Sequence, residues 1–162
     1  MIIGEKKSFA IEFEVDVNAG GAWLFGKFCY WVGGAMLGDY QLGTSLRDVL
    51  FLMTQLVGDC GNRFSTMFHM GADEVFNALN ESLYGDREIV DLAGRFDVLI
   101  PVDVFDEVKV FLVDCVGKES RLLYSKACGR VEEWLLPPQE FDQVLKLCYD
   151  ELSQLYDATQ QD

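Results

Sequence analysis

The sequence predicts an α+β protein: a mainly antiparallel sheet of about six to seven strands with three principal helices packed on it. Three observations carry this expectation. Strand-like segments, clearest in the period-two alternation of Phe9 to Asp16, fall into two groups near the two ends of the chain. Glycine-marked turns at Asn18-Ala19-Gly20-Gly21, Gly33-Gly34 and Gly117-Lys118-Glu119-Ser120 join neighbouring strands. Three further stretches repeat apolar residues at helical spacing.

In chain order, Phe9, Ile11, Phe13 and Val15 alternate with Ala10, Glu12, Glu14 and Asp16, giving a half-buried strand with an acidic outer face. Residues 22–32 follow as a strand that is apolar on both sides apart from Lys27, and therefore central and covered on both faces. Ala35 to Leu37 closes a meander. A first helix starts at Ser45, where Ser45-x-x-Asp48 resembles a capping box, and its face is Leu46, Val49, Leu50, Met53, Leu56 and Val57 before Gly58 or Gly61 ends it. Residues 62–71 read as a loop. A second helix takes Asp73 as N-cap, buries Val75, Phe76, Leu79 and Leu83, and stops at Gly85, with at most two further helical turns before Ala93. Strands are expected at 96–100, 107–115, 121–128 and 130–135. After Pro137-Pro138 the last helix presents Phe141, Val144, Leu145, Cys148, Leu152, Leu155 and Tyr156, and the tail beyond Asp157 reads as frayed.

At 162 residues the chain fits a single domain, 1–162, with a possible lobe division near residue 94 and roughly 70% of its unfolded surface buried. Half the residues are hydrophobic and 13% aromatic, which excludes disorder. The five cysteines, Cys29, Cys60, Cys115, Cys128 and Cys148, are odd in number and never spaced C-x-x-C, as suits buried thiols in a reducing compartment. With no export signal in MIIGEKKSF and no apolar run long enough to span a bilayer, a cytoplasmic location is expected. A net charge of −14 disfavours nucleic acid and anionic membranes as partners. The excess is concentrated in residues 72–107, with ten acids and two bases, and in residues 132–162, with eight acids and one base. Such acids either keep the protein soluble or form one face complementary to a basic partner.

Chemistry is poorly represented. His69 is the only histidine, and a Cys60/His69 nucleophile pair would lack an orienting partner. Glu12 and Glu14 share the outer face of an amphipathic strand, where solvation explains them; Asp97, Asp103 and Asp106 do not have calcium-loop spacing. The glycines match no phosphate-binding pattern. No catalytic residue, metal or cofactor is expected, and the chain reads as a binding protein rather than an enzyme. Trp134 beside Glu132 and Glu133, Asp39-Tyr40 in a glycine-flanked turn, and the acids Asp73, Glu74, Glu81, Asp86, Glu88 and Asp91 are the candidate partner-binding residues.

The segments FAIEFE (Phe9 to Glu14), WLFGKFCYW (Trp23 to Trp31), GDYQLGTSLRDVLF (Gly38 to Phe51) and DCGNR (Asp59 to Arg63) together resemble the immunity protein 42 family of bacterial polymorphic toxin and contact-dependent growth inhibition systems. The resemblance implies a small cytosolic protein that binds and neutralises one cognate toxin, occluding its active site. A toxin with a cationic nuclease groove would fit the acidic charge. An acidic regulatory or adaptor domain unrelated to toxins is the alternative; self-association is left open.

Overall fold

The computed structural model describes residues 1–160, and they form three α-helices and two antiparallel sheets, of five and three strands. The fold class is therefore α+β as expected, with the strands divided between two sheets instead of joined in one. The described residues fall into two compact units, the first made of residues 1–58, 100–106 and those from 140 onward and the second of 59–99 and 107–139.

In the first unit β1 (Ile2–Gly4), β2 (Phe9–Val15), β3 (Phe25–Val32) and β4 (Ala35–Leu37) pair in that order, and β5 (Thr44–Ser45) pairs with β3 beside Phe25 and Gly26. The alternation read in Phe9 to Asp16 is realised in part: Phe9, Ile11 and Phe13 are buried and Glu14 is exposed, but Ala10 on the outer face is fully buried too, and Glu12 and Val15 are intermediate. Phe9, Tyr30 and Phe141 meet ring to ring, with Phe9 4.6 Å from Phe141 between centroids and Tyr30 4.9 Å from Phe105. Helices α1 (Leu46–Gly58) and α3 (Glu140–Thr159) bury most of the faces expected of them, Leu46, Val49, Leu50, Met53 and Leu56 on one and Phe141, Val144, Leu145, Cys148 and Leu152 on the other, while Val57, Leu155 and Tyr156 are only partly buried. The expected frayed tail is helical to Thr159; Gln161 and Asp162 lie outside the described residues.

In the second unit β6 (Val108–Asp114), β7 (Ser120–Lys126) and β8 (Glu132–Leu136) form a meander, and the hairpin around Gly117 is where the turn residues put it. Helix α2 (Ala72–Tyr84) packs Val75, Phe76 and Leu79 onto Phe111, Val113 and Leu123 of this sheet.

Several boundaries differ from the expectation, each for a local reason. The strand expected from residue 22 begins at Phe25, because Gly21–Trp23 make a 3-10 turn and Leu24 turns the chain with a left-handed backbone, φ 50°. The second strand is central but not covered on both faces: Phe25, Lys27 and Trp31 remain partly solvated, although Cys29 between them is fully buried. Gly71, not Asp73, caps α2, which moves Asp73 and Glu74 into its first turn, where carboxylates favour the helix dipole. Residues 86–92 carry no helical turn, within the expected limit of two, but in place of a strand at 96–100 there is a 3-10 turn at Ala93–Phe96 with one bridge, Asp97 to Phe111. Within the loop 62–71, Thr66–His69 form a 3-10 turn capped by the Ser65 hydroxyl. The short strands β1 and β5 were not expected.

Candidate partner-binding site

The alternation of β8 separates residues that are adjacent in sequence. Glu133 stands opposite Leu123 and therefore faces α2, whereas Glu132 and Trp134 stand opposite Tyr124 and Leu122 and face the other way. Glu133 accepts a hydrogen bond of 2.7 Å from the Arg121 guanidinium, which is almost fully buried and also donates to the Phe68 and Met70 carbonyls. Its charge is thus taken up by a buried base, although the Glu133 side chain itself stays 38% exposed. Glu132 pairs at 2.5 Å with the exposed Arg130, and Trp134 is 39% exposed. The trio does not form one acid-ringed anchor.

Asp39 closes its own turn, accepting from the Gln41 amide at 3.0 Å, and Tyr40 is half-buried with Lys27 Nζ 5.7 Å from its ring centre. Burial, then the charge of Glu12, pushes the Tyr40 phenol up to about 12. Glu12 itself is not a free surface acid. Partial burial works against its charge, but bonds from Lys6 at 2.6 Å and Trp31 Nε1 at 2.7 Å hold its carboxyl below the usual glutamate value.

The acids around α2 are a different case. Glu81 has the loose partner Arg87 at 3.4 Å, but Asp73, Glu74, Asp86, Glu88 and Asp91 make no ion pair among the described residues and are all exposed. The Ser82 hydroxyl accepts from the Ile89 and Val90 amides, both at 2.9 Å, and so fixes the loop that carries the last three. That loop also exposes Ile89 and, at a left-handed backbone position, Leu92. At the same, C-terminal end of α2, Lys109 bonds Asn80 and lies over the Tyr84 ring, whose hydroxyl donates to Asp97 at 2.5 Å. Burial raises the Asp97 carboxyl above its usual value despite these contacts.

In the first unit, α1, β3 and β5 enclose with Pro101 an open cleft of about 620 Å³ that the sequence reading missed. Phe25, Phe51 and Leu52 supply apolar walls, and Asp48 and Asp103 its charge. The available signal was the helix α1 itself, since Phe51 and Leu52 lie off its buried stripe and are 53% and 38% exposed. His69, of the Cys60/His69 pair, has Cys115 Sγ at 4.0 Å, at the outer limit of a sulfur contact. Among the described residues no three His, Cys, Asp or Glu side chains are grouped to hold a metal, and no helix is long and apolar enough to cross a membrane.

The described residues present exposed carboxylates without ion pairs, and exposed aromatics, on an α+β frame. The family model described as immunity protein 42 matches residues 1–151, and the chain belongs to that family. The fold is similar to a crystal structure of CdiI from Burkholderia dolosa AUO158, with a TM-score of 0.73 and 20% identity over 95% of this chain and 99% of that one. No curated protein matches the sequence.

Proposed function

We propose that this protein acts as a single immunity domain that binds one cognate toxin domain in the cytoplasm and neutralises it by covering its active site. Family membership supports the role, and one structural observation supports the mode: five exposed carboxylates of α2 and its following loop are left without internal counter-charges. Unpaired like charges cost stability through mutual repulsion, so retaining them suits a protein whose partner brings the opposite sign. A toxin with a basic groove, such as a nuclease, is the partner this chemistry fits. Its action is binding, with no bond made or broken. The test is rescue. Cells expressing the toxin domain encoded beside this gene should survive when this protein is co-expressed, and should die when toxin domains of other classes replace it. No protection against the adjacent toxin, with the protein soluble and abundant, would transfer the acidic surface to an adaptor role outside toxin defence.

A further inference from the structure

The geometry points to the cleft between α1, β3 and β5 as the anchor site of this protein, taking from the toxin a lysine or arginine side chain with an apolar neighbour. This inference rests on the immunity reading and names the short-range contact within it. Two features of the cleft argue for an occupant. Large aromatic surface is kept exposed yet held in place, and the charged side chains that line the cleft itself are carboxylates.

The immobility is built in several ways. Trp23 lies parallel to Phe25, with centroids 6.3 Å apart and planes 6° from coplanar, and the Arg47 guanidinium covers Trp23 at 3.6 Å. The Trp23 carbonyl accepts from the Ser45 hydroxyl at 3.0 Å, and the Leu24 carbonyl accepts from the Leu46 amide at 3.0 Å, which ties this turn to the start of α1. Leu24 between them is held in a left-handed conformation, a strained backbone of the kind that persists where surrounding structure enforces it. Behind Phe25, a Cβ on Gly26 would stand 2.1 Å from the Glu14 carbonyl oxygen, so the wall is pressed directly onto β2. Across the cleft Phe51 is braced edge-on by Tyr156, 5.3 Å away. Rigid, exposed aromatics of this kind lose little freedom on binding and are the usual anchors of tight interfaces.

The charge selects the occupant. The lining contains two carboxylates, Asp48 and Asp103, and no base. Arg47 bonds only Oδ1 of Asp48, at 2.7 and 3.0 Å, leaving Oδ2 open, and Asp103 makes no ion pair among the described residues. A lysine or arginine can lay its aliphatic stem along Phe51 and Leu52 and bring its charge to these oxygens.

The adjacent toxin domain is the probe, and binding to the purified full-length protein is measured by calorimetry. Wild-type binding is established first; its absence would defeat the immunity reading itself. Given wild-type binding, Asp103→Asn and Phe51→Ser should each weaken it at least about tenfold with unchanged thermal melts, while Phe64→Ala, an exposed aromatic of the second unit, should stay within about twofold. Asp103→Asn keeps side-chain size, so it decides the matter even where Phe51→Ser lowers the melt. Both cleft variants within about twofold of wild type would overturn the anchor and leave neutralisation standing. A wild-type dimer that Phe51→Ser converts to monomer would assign the cleft to a second copy and equally overturn it.

Discussion

Neighbouring acids in this chain differ in what holds them, and single substitutions expose the difference. Glu133 neutralises the buried Arg121, so Glu133→Ala should cost about 2 kcal/mol, less than a fully buried pair because the Glu133 side chain is 38% exposed. Glu132→Ala, which frees only the solvent-exposed Arg130, should leave the urea midpoint where it is. Equal effects of the two would show that strand alternation does not sort them. Glu12 gives a pH signature. Its carboxyl is held below the usual value in the folded protein, so its contribution is present above the unfolded pKa and is lost as pH falls through the lower, folded one. Wild type should exceed Glu12→Gln in stability near neutral pH, and the gap measured by urea unfolding should close as the buffer is taken below the ordinary glutamate range. A gap that stays constant with pH would mean the Lys6 and Trp31 contacts do not act on the charged form.

Among the elements, α1 ties sequence to site most directly. The Asp48 amide donates to the Ser45 hydroxyl at 3.2 Å, which in turn donates to the Trp23 carbonyl, so Ser45→Ala should remove a helix cap and loosen the aromatic turn together. The expected loss is about 1 kcal/mol in chemical unfolding, with a changed Trp23 fluorescence; a loss confined to stability would separate cap from turn. This helix was legible because capping and periodicity are local, as were the alternation of β2 and the face of α3. The division of strands between two sheets was not, because pairing partners are set by packing across the chain rather than by neighbours in sequence. The reversal of Glu132 and Glu133 follows from strand period and could have been read, whereas the Arg121 that claims Glu133 could not, since the two lie 12 residues apart on paired strands. The cleft escaped for the same reason: its walls come from β3, β5, α1 and Pro101, and only Phe51 and Leu52 carried a local sign of it.

For the whole molecule, charge and cleft divide the work of binding. A net charge of −14 draws a basic partner in from a distance, an effect that depends on the summed charge and is screened over about 10 Å at 0.1 M salt. Stopped-flow association with the toxin should therefore slow by about tenfold or more between low and high salt, while dissociation changes little. Association indifferent to salt would reduce the acids to solubilising groups. The two units interleave along the chain, neither being one continuous stretch, and a single immunity domain should unfold in one transition, with tryptophan fluorescence and circular dichroism coinciding. Separate transitions would make the units independent. The central claim, neutralisation of one toxin, is tested most directly by counting survivors after induction of the adjacent toxin domain with and without this protein. The account predicts that co-expression restores colony counts to those of uninduced cells, and that Asp103→Asn lowers them; counts unaffected by the soluble wild-type protein would contradict it.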